Sequence, residues 1–220
     1  MDTPRDLRRE FLERVRKNLE QLNNVILNHP LIKDAEEGKL PINVIKAFIT
    51  NQWYIVNHDL RSLAMALGRT RTIEELEFFK MLLDGDYNAL HELMKLMKEL
   101  NIEPRDPLML EIIPEAVQYT HYLAWLANYA SPQEFALAII VNMPVWGQNV
   151  ARLGNSLRNK YGIREIGFFE VFKGPFNELE DRALSLARNI DDASLVRAMN
   201  MAYTIQIYEK AFWDAIYSVR

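Results

Sequence analysis

The chain has 220 residues, a length that suits one compact domain, and its 49% apolar and 25% charged residues are close to the globular average, which excludes disordered and collagen-like classes. A formal charge of −4, with Lys and Arg interleaved among Asp and Glu, offers no basic field to a phosphate backbone, so nucleic acid is not an expected partner. The absence of cysteine removes disulfides, thiolate metal sites and a sulfur nucleophile, and no apolar run reaches the roughly 20 residues of a membrane span.

The charged opening MDTPRDLRREFLERVRK holds no apolar signal region, so the expected compartment is the cytoplasm. A first helix is expected from Thr3, a capping residue followed by Pro4, with Leu7, Phe11, Val15, Leu19, Leu22 and Ile26 on one face and Pro30 limiting its end. A short piece at about 32–37 and the break EGKLP lead into a second helix over about 42–67, ended by Gly68. Third, fourth and fifth helices are expected over about 73–100, 107–130 and 132–157. The stretch YGIREIGFFEVFKGPFNELEDRALSLARN reads as a short helix, a break at Gly174-Pro175 and a further helix. The last helix starts at an Asp191-Asp192 cap and runs nearly to the end. The sum is an all-α bundle of about seven to eight helices forming a single domain over 1–220.

Function is sought in polar residues that share a helix face with core residues, because a buried polar group needs a partner. In the second helix Gln52 and Asp59, one heptad apart, fall on the stripe of Ile45, Phe48, Ile55, Val56, Leu63 and Ala66, either as a hydrogen-bonded interior pair or as a ligand site. In the fourth, Tyr119 is centred on Ile112, Ala116, Leu123 and Leu126, with Glu115 and Tyr122 beside it. A core ring with a satisfied hydroxyl is the plain reading of such a tyrosine. In the last, Glu209 shares a face with Ala198, Ala202, Ile205, Phe212 and Ile216, where burial would raise its pKa towards the range of an acid–base group. Its plain reading is a structural carboxylate meeting Gln52 or a tyrosine hydroxyl.

The fifth helix contains NMPVWGQN, in which Pro144 interrupts the hydrogen-bond ladder and Asn142, Gln148 and Asn149 add polar demands beside Trp146. The histidines lie off the stripes, and Asp84 with His91 on one flank is too small a set for a carboxylate-bridged centre, so no metal and no cofactor is expected. Phosphate loops, dinucleotide fingerprints and hydrolase elbows are absent.

The segment HPLIKDAEEGKLPINVIKAFITNQWYIV resembles the TenA (thiaminase II) pattern of His-Pro, Gly-x-Leu-Pro and a helix carrying Gln-Asp-x-x-Tyr, and YTHYL, MPVW and YEKAFWDAI resemble three further motifs of that family in the same order. The resemblance implies the haem-oxygenase-like fold shared by TenA and PqqC, with a pocket inside the bundle that takes an aminopyrimidine related to the thiamin precursor. It implies pocket roles for Glu209, Phe212 and Tyr119, with Glu209 and Tyr119 as the catalytic candidates. The family aspartate that holds the aminopyrimidine falls at Gln52, a nearby tyrosine at Ile55, and the nucleophilic cysteine at Val145. Covalent attack of the TenA kind is therefore not expected of this chain.

The expected ligand contacts are Gln52, Ile55, Asp59, Val145, Trp146, Asn149 and Phe212, around a small heteroaromatic molecule. The alternatives are a PqqC-like or metal-dependent oxygenase of the same fold and a non-catalytic regulatory or scaffold protein. The resemblance also implies a homo-oligomer, dimer or tetramer, with FFEVF and the first helix as candidate subunit contacts.

Overall fold

A computed structural model describes residues 7–107 and 112–220, with the side chains of Leu7 and Arg8 left aside. The expected cap at Thr3 and Pro4 lies outside these residues. Nine α-helices and no strand occur among them: α1 (Leu7–Leu27), α2 (Pro30–Glu36), α3 (Ile42–Gly68), α4 (Ile73–Glu99), α5 (Gln118–Tyr129), α6 (Pro132–Tyr161), α7 (Gly167–Val171), α8 (Asn177–Leu186) and α9 (Asp192–Tyr217). Two single 3₁₀ turns, Pro114–Val117 and Ala187–Asn189, complete the helical set.

Local chemistry sets the ends of these helices. Thr72 accepts a hydrogen bond from the Glu75 amide at the start of α4, Ser131 and Glu134 form a reciprocal capping box on α6, and Asp191 caps α9. Each such cap is worth about 1 kcal/mol. Gly162 ends α6 at φ 69°, a left-handed turn that glycine enters without strain. His29 starts α2: its Nδ1 accepts from the Leu31 amide at 3.1 Å while its Nε2 donates to Asp214 on α9 at 3.1 Å. The His-Pro pair thus sets a helix start and ties it to the last helix.

One expected boundary is wrong. The fourth helix does not begin near residue 107; Ile112 and Ile113 are not helical, a 3₁₀ turn follows, and α5 starts only at Gln118. The cause is Pro114, which drives Ile113 out of the helical region to φ −90°, ψ 110°. The freed Ile113 amide donates to Asn51 Oδ1 at 3.0 Å, and Trp53 Nε1 donates to the Arg105 carbonyl at 2.8 Å, so α3 holds this connection in place.

The core has two clusters. One surrounds Phe48, Phe168, Phe169, Phe212 and Trp213; the other surrounds Phe78, Phe79, Phe135 and Leu126. α6 runs through both, with α9 packed along it, while α3 and α4 pack as a second pair. Close approach of α7 to α6 depends on Gly154, where an added Cβ would lie 2.6 Å from the Phe169 Cβ. Gly147 does the same for the turn before α8, since its Cβ would lie 2.3 Å from the Phe172 carbonyl oxygen. Of FFEVF, Phe168 and Phe169 are fully buried core within this chain, while Val171 and Phe172 are half-buried and Glu170 is exposed. The apolar face of α1 is likewise turned inward, with Phe11, Val15, Leu19 and Ile26 buried.

Candidate ligand-binding site

The two clusters do not close completely where they meet. A cavity of about 210 Å³ remains, taking Ile55, Val56, Ala116 and Phe212 from one cluster and Leu63, Leu123, Ile139 and Leu179 from the other. Its aromatic surfaces are Tyr119, Trp146, Phe172 and Phe212, and its polar groups are Gln52, Asp59, Asp86, Asn142, Tyr119 and Glu209. Among the described residues no lysine, arginine or histidine lies on its wall.

Helical spacing explains the arrangement. Gln52, Ile55, Val56, Asp59 and Leu63 form one stripe of α3, and Ile139, Asn142, Met143 and Trp146 repeat the i, i+3, i+4, i+7 pattern on α6. Glu209 and Phe212 are neighbours on α9, and Met81, Leu82, Gly85 and Asp86 face the cavity from α4. At Gly85 an added Cβ would find no atom within 4 Å, so the absence of a side chain leaves that part of the wall open.

On the α6–α9 wall the polar groups are bonded to one another. Asn142 Nδ2 donates to Gln206 Oε1 at 2.7 Å and to Glu209 Oε2, and Trp213 Nε1 donates to Glu209 Oε1 at 3.2 Å. Glu209 is 3% exposed, and burial raises its carboxyl to about 8 against the opposing pull of the Trp213 and Asn142 bonds. It is therefore mainly a neutral acid near pH 7.

The α3–α4 wall is different. Gln52 is 3% exposed, yet no described residue hydrogen-bonds its amide, and its atoms keep their small remaining accessibility on the cavity side. Asp59, 6% exposed, accepts one bond from Thr120 Oγ1. Asp86 on α4 has no hydrogen-bond partner among the described residues. Burial, then the neighbouring Asp86 carboxylate, hold Asp59 well above the ordinary carboxylate range, against the Thr120 bond, and burial raises Asp86 to about 7. Tyr119 is pushed up by burial and by Asp59, Asp86 and Glu209, and its hydroxyl also lacks a described partner.

The cavity thus gathers Gln52, Ile55, Asp59, Tyr119, Trp146, Glu209 and Phe212 of the expected site residues. Two do not reach it. Val145 lies about 100° round α6 from the cavity stripe and packs into the core, and Asn149, fully buried, donates to the Ile26 carbonyl at 2.9 Å and ties α6 to α1. Gln148 is exposed. The plain readings also fail in detail: Gln52 is not bonded to Asp59, and Glu209 meets Asn142 and Trp213 rather than Gln52 or a tyrosine. Asp84 pairs with Lys80 at the surface, His91 packs against Tyr87, and among the described residues no three His, Asp or Glu side chains are grouped to hold a metal ion.

Asp86 and Asn142 were not among the expected contacts. Asp86 falls between Leu82 and Ala89 on the line that continues to Leu93, so the test that singles out Asp59 and Glu209 also finds it.

The fold is haem-oxygenase-like, an all-α bundle whose two core clusters leave between them a small cavity lined by aromatic and acidic side chains. The chain belongs to the TENA/THI-4/PQQC family, whose model matches residues 16–218. A TenA homologue from Pyrococcus furiosus is 22% identical, with a TM-score of 0.78 over 94% of this chain and 99% of that one. A Sulfolobus solfataricus protein described, by inference, as a tenA-like thiaminase is 18% identical, with a TM-score of 0.70 over 93% and 94% of the two chains. A haem-oxygenase-like domain of unknown function from Shewanella denitrificans is 12% identical, with a TM-score of 0.77 over 94% and 92%. A comparison with curated proteins found no match.

Proposed function

We propose that the chain binds a small, flat heteroaromatic molecule of the aminopyrimidine kind in the bundle cavity, without the covalent sulfur chemistry of the thiaminase pattern. The observation that carries this reading is Gln52: a carboxamide 3% exposed, unpartnered, on the wall of a cavity that also presents a Glu209 acid. A ligand's ring nitrogen and amino group would take its donor and acceptor, which no described residue uses. A cavity of about 150 Å³ accommodates a benzene ring, so the space here suits one substituted ring. Trp146, Phe172 and Phe212 supply faces for it to stack on.

On the α6–α9 wall Glu209 is an acid available for proton transfer, mainly protonated near neutral pH and held in place by Asn142 and Trp213. With no cysteine in the 220 residues and Val145 off the wall, no thiol is available to attack. Thermal-shift titration with aminopyrimidines and thiamin fragments tests the reading. At a hundredfold excess over Kd a ligand raises Tm by about 5–10 °C, and Gln52→Ala removes the shift. No stabilisation by any of these compounds, together with a more stable Glu209→Ala variant, would overturn it.

The expected self-association has a surface that fits it. Trp125 and Tyr129 on α5 are 43% and 72% exposed and stand in a ladder with Tyr122, against which Tyr208 of α9 packs edge-on. We assign the homo-oligomer contact to this aromatic strip. Light scattering of a Trp125→Glu variant that stays at the wild-type mass would refute that assignment.

A further inference from the structure

The α3–α4 wall carries two carboxylates, Asp59 and Asp86, facing one cavity with no cation on its lining. Other carboxylates of α4 are paired: Asp84 with Lys80 and Glu92 with Lys95, both at the surface. Asp86 points inward with no hydrogen-bond partner among the described residues, and Asp59 uses one oxygen on Thr120. Two turns along the same α3 stripe stands the unpartnered, buried Gln52 amide. From these residues we propose that the α3–α4 wall is a subsite for a cationic nitrogen, a protonated primary amine or amidine carried by the ligand, with Asp59 and Asp86 as its counter-ions.

The proposal rests on the reading of the cavity as a ligand site and names the charge of what enters it. The groups facing the pair are Tyr119 from α5, Asn142 from α6 and Glu209 from α9, and none supplies positive charge. Two ionised carboxylates in such a place repel one another, so an empty site keeps a proton on the pair. An incoming ammonium or amidinium takes over the role of that proton, which leaves to solvent, and charge is conserved. An ammonium also needs acceptors within reach, and among the described residues no donor reaches Asp59 Oδ2 or either Asp86 oxygen.

The test compares benzylamine and benzamidine with benzyl alcohol and benzamide, which share their size and ring but carry no charge. Ligand-observed NMR and calorimetry at pH 8 should show the charged pair binding at least about tenfold more tightly. Asp86→Asn, which keeps the side-chain shape, should abolish that preference and leave the neutral pair unchanged; Asp59→Asn should act in the same direction. In wild type the heat of amine binding should depend on the ionisation enthalpy of the buffer, reporting the released proton. If the neutral probes bind as tightly as the charged ones, or Asp86→Asn keeps the preference, the cation subsite is wrong while the heteroaromatic site stands. Failure of all four probes together with failure of the aminopyrimidines would overturn both.

Discussion

The two walls of the cavity use similar residues in opposite ways. On the α6–α9 side Glu209, Asn142, Gln206 and Trp213 are joined by hydrogen bonds, and Gln206 carries the network on to Asn23 of α1. On the α3–α4 side Gln52 and Asp86 have no partner among the described residues, and Asp59 has only Thr120. Folding explains the first wall, because a satisfied buried network fixes the register of the two helices. It does not explain the second, whose groups form no matching set of bonds and keep their polar atoms open to the cavity. The difference separates polar groups bonded to one another from polar groups left open to the cavity, and the proposed ligand site rests on it.

The comparison breaks most visibly at Asn142. Asn142→Ala leaves Glu209 and Gln206 each short of a donor and should cost about 2–4 kcal/mol, lowering Tm by roughly 5–10 °C. Gln52→Leu, an equally buried change on the other wall, should alter stability by less than about 1 kcal/mol or raise it. Equal losses in chemical denaturation would erase the distinction between the walls.

pH should separate them next. The Glu209 carboxyl is raised from its ordinary value of 4.5 to about 8, so the native state holds a proton that the unfolded chain releases. Its contribution is fully present below pH 4.5 and is lost as pH climbs to about 8. Glu209→Gln should remove that slope from a plot of stability against pH, whatever its constant offset. Asp86→Asn should stabilise the apo protein by about 1–2 kcal/mol, the gain growing between pH 4 and 7 and then levelling as the Asp86 carboxyl finishes ionising. A gain independent of pH would show that Asp86 is not the group losing a proton there.

The smallest effect expected is at Gly85. Gly85→Ala should add roughly 0.5–1 kcal/mol to the helix, since the new methyl meets no atom within 4 Å. The same methyl occupies part of the α4 wall, so ligand affinity should fall while Tm rises.

Much of this was legible in the sequence. Proline, glycine and capping residues punctuate helices whose apolar stripes are unbroken, so α3, α4 and α9 fall within a residue or two of the expected bounds. The non-helical start at 112–117 was not legible because its apolar spacing mimics a helix, and only Pro114 and the Asn51 side chain, distant in sequence, decide against it. For the site, the rule that a polar residue on an apolar stripe marks the interior locates Gln52, Asp59, Tyr119 and Glu209. It cannot tell a satisfied group from an unsatisfied one, because the partners come from other helices. That limit explains NMPVWGQN, whose three carboxamides look alike in sequence but serve three ends: Asn142 holds Glu209, Gln148 faces solvent and Asn149 ties α6 to α1.

The most direct test of an empty, ligand-seeking α3–α4 wall is a crystal structure of the protein soaked with an aminopyrimidine. The account predicts a ring stacked among Trp146, Phe172 and Phe212 with its polar edge hydrogen-bonded to Gln52, and the α6–α9 network unchanged. A cavity still empty at saturating concentration, with the Gln52 amide bonded to another protein group, would contradict it.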